Sequence, residues 1–146
     1  MEVPTTWVDI DGRAWVDDDD GTVLGSQLIA ATDIEGYSNT YATPGVQLLA
    51  SVGLADSTMD DLLDLFDFST DCTYDGRSDY EDPLYTGRFD LYVNCSDVGS
   101  VIAVVAVQPA DQGYAMVIVA QAITDADLDA IDHILDTFNV VGTFPQ

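Results

Sequence analysis

A chain of 146 residues is of the size at which one domain buries roughly two-thirds of the surface its unfolded form exposes. An apolar content of 47% excludes a charge-extended disordered tail. Three basic residues, Arg13, Arg77 and Arg88, stand against 27 acidic ones for a net charge of −24, with no lysine, which makes DNA, RNA and bare membrane surfaces poor partners.

The apolar runs at 101–107 and 114–122 are well short of the ~20 residues needed to cross a bilayer, so no direct membrane insertion is expected. Met1-Glu2-Val3-Pro4 offers neither a basic n-region nor an apolar h-region. The expectation is a protein that stays inside, or one whose signal and other upstream parts have been removed.

In chain order, residues 7–10 and 13–16 alternate in character around Asp11-Gly12, which predicts a hairpin with a two-residue type I′ turn. Residues 17–20 are all Asp and precede Gly21, so they form an exposed loop before a strand at 26–31. The stretch 33–43, with Tyr37 and Tyr41, reads as turn-rich. Pro44-Gly45 opens a strand at 46–51. From Thr58 the period changes: Met59, Leu62, Leu63 and Phe66 fall at i, i+3, i+4 and i+7, predicting an amphipathic helix capped by Asp56 or Ser57.

Strands follow at 72–80 and 84–95 around Glu81-Asp82-Pro83, and Phe89, Leu91 and Val93 give the second an apolar face. The runs 101–107 and 114–122, parted by a turn containing Pro109, are valine-rich strands expected at the centre of a sheet covered on both faces. A last helix carries Leu128, Ile131, Leu135 and Phe138 as its inner stripe. Thr124 is its N-cap, and Asp125 and Asp127 favour the positive end of its dipole. The order of elements contains no alternating βαβ pattern, so the fold class is α+β, a largely antiparallel sheet covered by helices. One domain is placed at 5–141, with frayed termini at 1–4 and 142–146.

Nucleophilic catalysis needs a base beside its nucleophile, and the single histidine, His133, lies between Asp129 and Asp136, where a surface ion pair explains it. Gly36-Tyr37-Ser38-Asn39-Thr40 begins like a nucleophile elbow but lacks the closing glycine. With 27 acids, a glycosidase-type carboxylate pair has no specificity. Asp9, Asp11 and the loop carrying Asp17, Asp19 and Asp20 are the candidate Ca²⁺ ligands. Their spacing departs from the EF-hand, and Arg13 repels a cation, so weak Ca²⁺ binding is the most that is expected. One histidine and two cysteines make no zinc set.

Cys72 and Cys95 lie outside any C-x-x-C spacing. A bridge between them closes a loop of about 24 residues, worth ~3 kcal/mol, and suits an oxidising compartment; two unrelated buried thiols in a cytosolic protein are the alternative. Among the aromatics, Trp7, Phe66, Phe89 and Phe138 read as core. Tyr74, Tyr80 and Tyr85, with Arg77, read as a ligand-binding surface beside the 77–83 turn.

Trp7-Val8-Asp9, the acidic turn before Gly21, Thr43-Pro44-Gly45-Val46, the 67–72 step ending in Asp71-Cys72, Tyr74-Asp75-Gly76-Arg77, Tyr85-Thr86-Gly87 and Thr124-Asp125-Ala126-Asp127-Leu128 occur in this order. Together they resemble the extracellular accessory domain at the C-terminal end of secreted actinobacterial trypsin-like serine proteases and related membrane-anchored proteins. The resemblance covers nearly the whole chain. It implies a PsbP-like α/β/α sandwich, a structural Cys72–Cys95 disulfide and an extracellular or cell-surface location. The Gly-Asp-Ser-Gly and histidine motifs of the protease domain are missing, so no catalytic residue is carried over, and the resemblance assigns no ligand. The expectation is a non-enzymatic accessory domain of a larger secreted or membrane-anchored protein, needing no cofactor, that binds a partner protein or a cell-surface polymer. The alternatives are a stand-alone hydrolase using two carboxylates, and an acidic domain adapted to high salt or to calcium.

Overall fold

The computed structural model describes residues 3–17 and 19–138. Two strands dominate it, β7 (Ser100–Pro109) and β8 (Ala115–Ala122), and β8 is buried along its whole length. Successive side chains of a strand point to opposite faces, so a continuous apolar run must be covered twice. In β7, Val105 and Val107 enter one core cluster while Ile102, Val104 and Ala106 enter another.

The sheet has eight strands in the order β1-β3-β4-β8-β7-β6-β5, with β2 also paired to β3. Here β1 is Asp9–Asp11, β2 Trp15–Val16, β3 Val23–Ala31, β4 Gly45–Ser51, β5 Thr73–Glu81 and β6 Tyr85–Cys95. Every pairing is antiparallel. Strands β5 to β8 form a meander, and β4 joins it through β8. The chain therefore has to cross from the middle of the sheet to its β5 edge. It does so over one face by a 3-10 turn at Val52–Leu54 and helix α2 (Met59–Asp64). Leu62 and Leu63 of α2 pack with Tyr92, Ile102, Val104 and Val117. Helix α3 (Asp125–Thr137) covers the other face, where Ile131, Ile134 and Phe138 pack with Trp7, Leu48, Met116 and Ile118. The architecture is thus an antiparallel sheet with helices on both faces.

Helix α3 begins at the expected Thr124, whose side chain accepts from Asp127 N, while the Asp127 carboxylate accepts from Thr124 N. This capping box satisfies two otherwise orphaned donors. Leu128, read as part of the inner stripe, is 39% exposed, and the buried positions are Ile131, Ile134 and Phe138. Helix α2 is capped by Thr58, not by Asp56 or Ser57, since the Thr58 hydroxyl accepts from Asp61 N at 3.1 Å. It ends before Phe66, which packs from the following turn.

The hairpin expected from residues 7–16 does not form. Both β1 and β2 pair with β3: Asp9 lies opposite Ala31 and Trp15 opposite Gly25. The nine residues of β3 are long enough to template two short strands side by side in sequence. Between them Asp11 accepts the backbone N–H and the guanidinium of Arg13, closing a tight local turn. The hairpin of this region is β2–β3, with the acidic loop as its tip: Asp17 N donates to Thr22 O and Gly21 N to Asp17 O. A further difference lies in the turn-rich stretch, which contains a short helix, α1 (Ile34–Asn39). Its first N–H, from Ile34, is accepted by Asp9 Oδ2 at 2.9 Å. The cap comes from a strand 25 positions upstream, which no local pattern signals.

Val3 and Pro4 are half-buried, and Val3 packs on the core. The expected fraying at residues 1, 2 and 142–146 lies outside the described residues, as does the domain's end at 139–141.

Two glycines set the sheet geometry. Gly76, at φ +113°, sits at a β-bulge in β5 where pairing steps from Tyr74 opposite Tyr92 to Gly76 opposite Leu91. Gly87 in β6 lies so close to β7 that a Cβ there would stand 1.9 Å from Ala106 O. Gly87→Ala must push two paired strands apart and is expected to cost on the order of 2–3 kcal/mol, read as a lower midpoint in urea unfolding.

Candidate functional site

The bulge at Asp75-Gly76 decides where the expected recognition residues go. Tyr74 and Arg77 are three apart, so a regular strand would send them to opposite faces. The extra residue returns both to the α2 face, where Arg77 lies opposite Asp90. Arg77 Nε donates to Asp90 Oδ1 at 2.7 Å and its NH2 group to Asp90 Oδ2 at 2.9 Å. The same guanidinium reaches Asp64 at 2.9 Å and Asp60 at 3.2 Å on α2. Tyr74 OH donates to Asp90 Oδ1 at 3.2 Å. Hydrogen bonding to Asp90, then to Asp64, raises the Arg77 pKa further, so this cation stays charged at any working pH.

A hollow of about 500 Å³ lined by Leu63, Asp64, Asp67, Tyr74, Arg77 and Tyr92 opens here. Four of the five guanidinium donors already point at carboxylates, however, so Arg77 is a clamp between α2 and the β5–β6 edge. Arg88 extends the clamp, donating to Asp60 at 2.7 Å, with its Nε 3.2 Å from Asp79. That Nε lies within ion-pair reach of Asp79 but outside hydrogen-bonding geometry, which makes it a charge contact only.

Tyr80 and Tyr85 go to the α3 face. Tyr85 is 2% exposed, its ring stacked on Phe138 at 4.9 Å and its hydroxyl 2.8 Å from that of Tyr114. Tyr80 OH lies 2.6 Å from Asp82 Oδ2 and 3.1 Å from Leu135 O. The four residues are therefore split between the faces of the sheet and line no common surface. Of the residues read as core, Trp7 and Phe138 are buried, while Phe66 and Phe89 are half-buried against the two clusters.

The acidic hairpin tip makes local turn contacts. Asp17 Oδ1 accepts from Asp19 N and Asp20 Oδ1 from Thr22 N, each at 2.8 Å. The contact with Thr22 holds the Asp20 carboxyl below its usual range. The pairing with Arg13 likewise lowers Asp11 to about 2. Asp18 lies outside the described residues. Among those described, no group of three or more His, Cys, Asp or Glu is arranged to hold a metal ion. His133 is exposed on α3.

A cleft of about 390 Å³, which no sequence motif marks, opens on the α2 face. Its floor is built by three neighbouring strands: Gln47 of β4, Val119 and Gln121 of β8 and Ile102 of β7. One wall is α1 and its C-terminal turn, with Tyr37 and Tyr41; the other is Phe68 and Asp71. Tyr37 is held by its hydroxyl, which donates to Val119 O at 2.7 Å, and by its ring, which packs against Gly45, where a Cβ would come within 2.7 Å. Gln121, 3% exposed, donates to Thr40 O and Thr43 O at 3.1 and 2.7 Å, fastening the turn after α1 to the sheet. Tyr41 OH spans the cleft to Asp71 Oδ2 at 2.8 Å. Asp71 adjoins the Cys72–Cys95 disulfide, and Ser96 N donates to Asp71 O. The bridge resolves the cysteine alternatives in favour of a disulfide. The signal present in the sequence was a glutamine inside an otherwise apolar central strand.

Burial pushes the hydroxyls of Tyr37 and Tyr41 above the ordinary value, and hydrogen bonding to Asp71 adds to the effect at Tyr41. Tyr80 and Tyr114 are raised chiefly by burial as well. These phenols are neutral hydrogen-bonding groups at physiological pH. A group with a raised folded-state pKa contributes its stability fully below its unfolded value, 10.0 here, and loses it as pH rises towards the folded one. The melting temperature should therefore hold up to pH ~10 and fall above it, with tyrosinate absorbance appearing together with unfolding.

Among the described residues no helix is long and apolar enough to cross a membrane. No protein-family model, curated protein or solved structure matches the chain.

Proposed function

We propose that this chain is a non-catalytic, extracellular accessory domain that binds a partner protein, and that the cleft between α1 and Phe68–Asp71 is its binding site. The reading takes the architecture as PsbP-like and the parent as a larger secreted or membrane-anchored, serine protease-associated protein. The observation that carries it is the chemistry of the cleft. Its polar side chains are carboxamides, protonated phenols, the hydroxyls of Ser38 and Thr40 and one carboxylate, several of them positioned by strands and by hydrogen bonds to backbone carbonyls. Such groups orient a ligand, whereas acid–base or nucleophilic catalysis calls for a base within reach of a nucleophile. The disulfide supports an oxidising location.

Helices on both faces of an antiparallel sheet are compatible with the α/β/α arrangement. Three carboxylates, Asp60, Asp64 and Asp90, are bridged by Arg77, which suits a structural role better than hydrolysis. The test is incubation of the purified protein with peptide, ester and glycoside substrates. No turnover above the buffer blank is expected. Turnover abolished by replacing one cleft or clamp carboxylate would overturn the reading.

A further inference from the structure

Most of the side-chain donors that line the cleft are used inside the protein. A carboxamide has two N–H groups and one acceptor oxygen, and a hydroxyl has one donor and two lone pairs. Both N–H groups of Gln121 go to backbone carbonyls, as do the hydroxyls of Tyr37 and Thr40. Gln47 donates to Gln27, and Tyr41 to Asp71. What these side chains still offer is weighted to acceptance: the Oε1 atoms of Gln47 and Gln121, the second oxygen of Asp71, and phenolic lone pairs. A ligand that brings only acceptors would leave them unmatched, and one that brings donors would satisfy them.

Charge points the same way. The carboxylate on the cleft wall is Asp71, and the aromatic walls are Tyr37, Tyr41 and Phe68, whose ring faces attract cations. Among the described residues no basic side chain lines the cleft. The chain lacks lysine, and each of its three arginines is paired with a carboxylate. The net charge of −24 adds a field that draws cations in.

We infer that the cleft receives the ammonium or guanidinium end of a lysine or arginine side chain presented by the partner protein. The inference rests on the binding reading above and gives the partner's chemistry. Asp71 takes the charge, with the Gln121 and Gln47 oxygens accepting the remaining N–H groups and the rings flanking the alkyl stem.

The test is titration of the full chain with acetyl-Gly-Lys-Gly-amide and with its neutral counterpart acetyl-Gly-Gln-Gly-amide, followed by amide chemical shifts. The lysine peptide should saturate, with the glutamine peptide about tenfold weaker, as loss of one charge-assisted contact implies. Asp71→Asn should weaken the lysine peptide by about the same factor. Asp19→Asn, which removes an equal charge at the hairpin tip, should leave affinity within about twofold, since exposed distant charges are screened. Phe68→Leu gives a second weakened variant should Asp71→Asn melt early. Equal effects of Asp19→Asn and Asp71→Asn would reduce the attraction to bulk charge and overturn the inference. So would equal binding of the two peptides, which would leave the binding reading in place. Hydrolysis of either peptide would instead overturn the binding reading itself.

Discussion

Arg77→Ala should lower the free energy of unfolding by about 3–5 kcal/mol, the range for removing one partner of a buried ion pair. Asp90 is 1% exposed on the strand next to the edge, and its carboxylate faces the Arg77 fork directly. Without the guanidinium that charge has Tyr74 OH as its remaining hydrogen-bond donor, and Asp60 and Asp64 add like charge from α2. The cost therefore comes from the orphaned Asp90 more than from the lost attraction. That distinction is testable: the double variant Arg77→Met/Asp90→Leu removes both charges and should recover most of the loss, because well-packed apolar pairs often match buried ion pairs. Urea unfolding of the single and double variants reads the difference. A double variant as unstable as Arg77→Ala would mean that the pair itself, rather than its desolvation balance, holds the edge.

Reduction of the disulfide, or Cys72→Ser with Cys95→Ser, should cost about 3 kcal/mol by loop-closure entropy. The cysteines are 23 apart in sequence and tie the start of β5 to the end of β6. Their removal has a second consequence. The segment carrying Phe68 and Asp71 enters β5 through Cys72, so loosening the bridge loosens one wall of the cleft. The reduced protein, assayed under conditions where it stays folded, should bind the lysine peptide more weakly, while α3-face features such as the Tyr85–Tyr114 contact remain. Equal stability of the oxidised and reduced forms would contradict this account.

The contrast between α3 and α1 explains what was legible in the sequence. Helix α3 is long enough to repeat its apolar spacing and begins at a reciprocal cap within four residues, so both signals are local. Helix α1 has six residues, none buried, and is capped by Asp9 from the neighbouring strand β1. Strands β7 and β8 declared themselves by valine content, and their central place followed from needing cover on both faces. The pairing of β1 and β2 did not, because a tertiary partner, β3, replaced the local turn. Strand parity parts the residues read as a recognition surface around Arg77, with Tyr74 and Arg77 on one face and Tyr80 and Tyr85 on the other. Tyr85 shares its face with Phe89, which was readable from period two, and the bulge that moves Tyr74 was announced only by Asp75-Gly76. The cleft itself was spread over residues 37–41, 47, 68–71, 102 and 119–121, five segments that only the sheet order brings together.

The most direct measurement is an amide chemical-shift titration of the native protein with the lysine peptide, run long enough to follow the peptide's own signals. The account predicts saturable shifts concentrated in those five segments, with the peptide unchanged throughout. Shifts scattered over the acidic surface, or the growth of product signals, would contradict it.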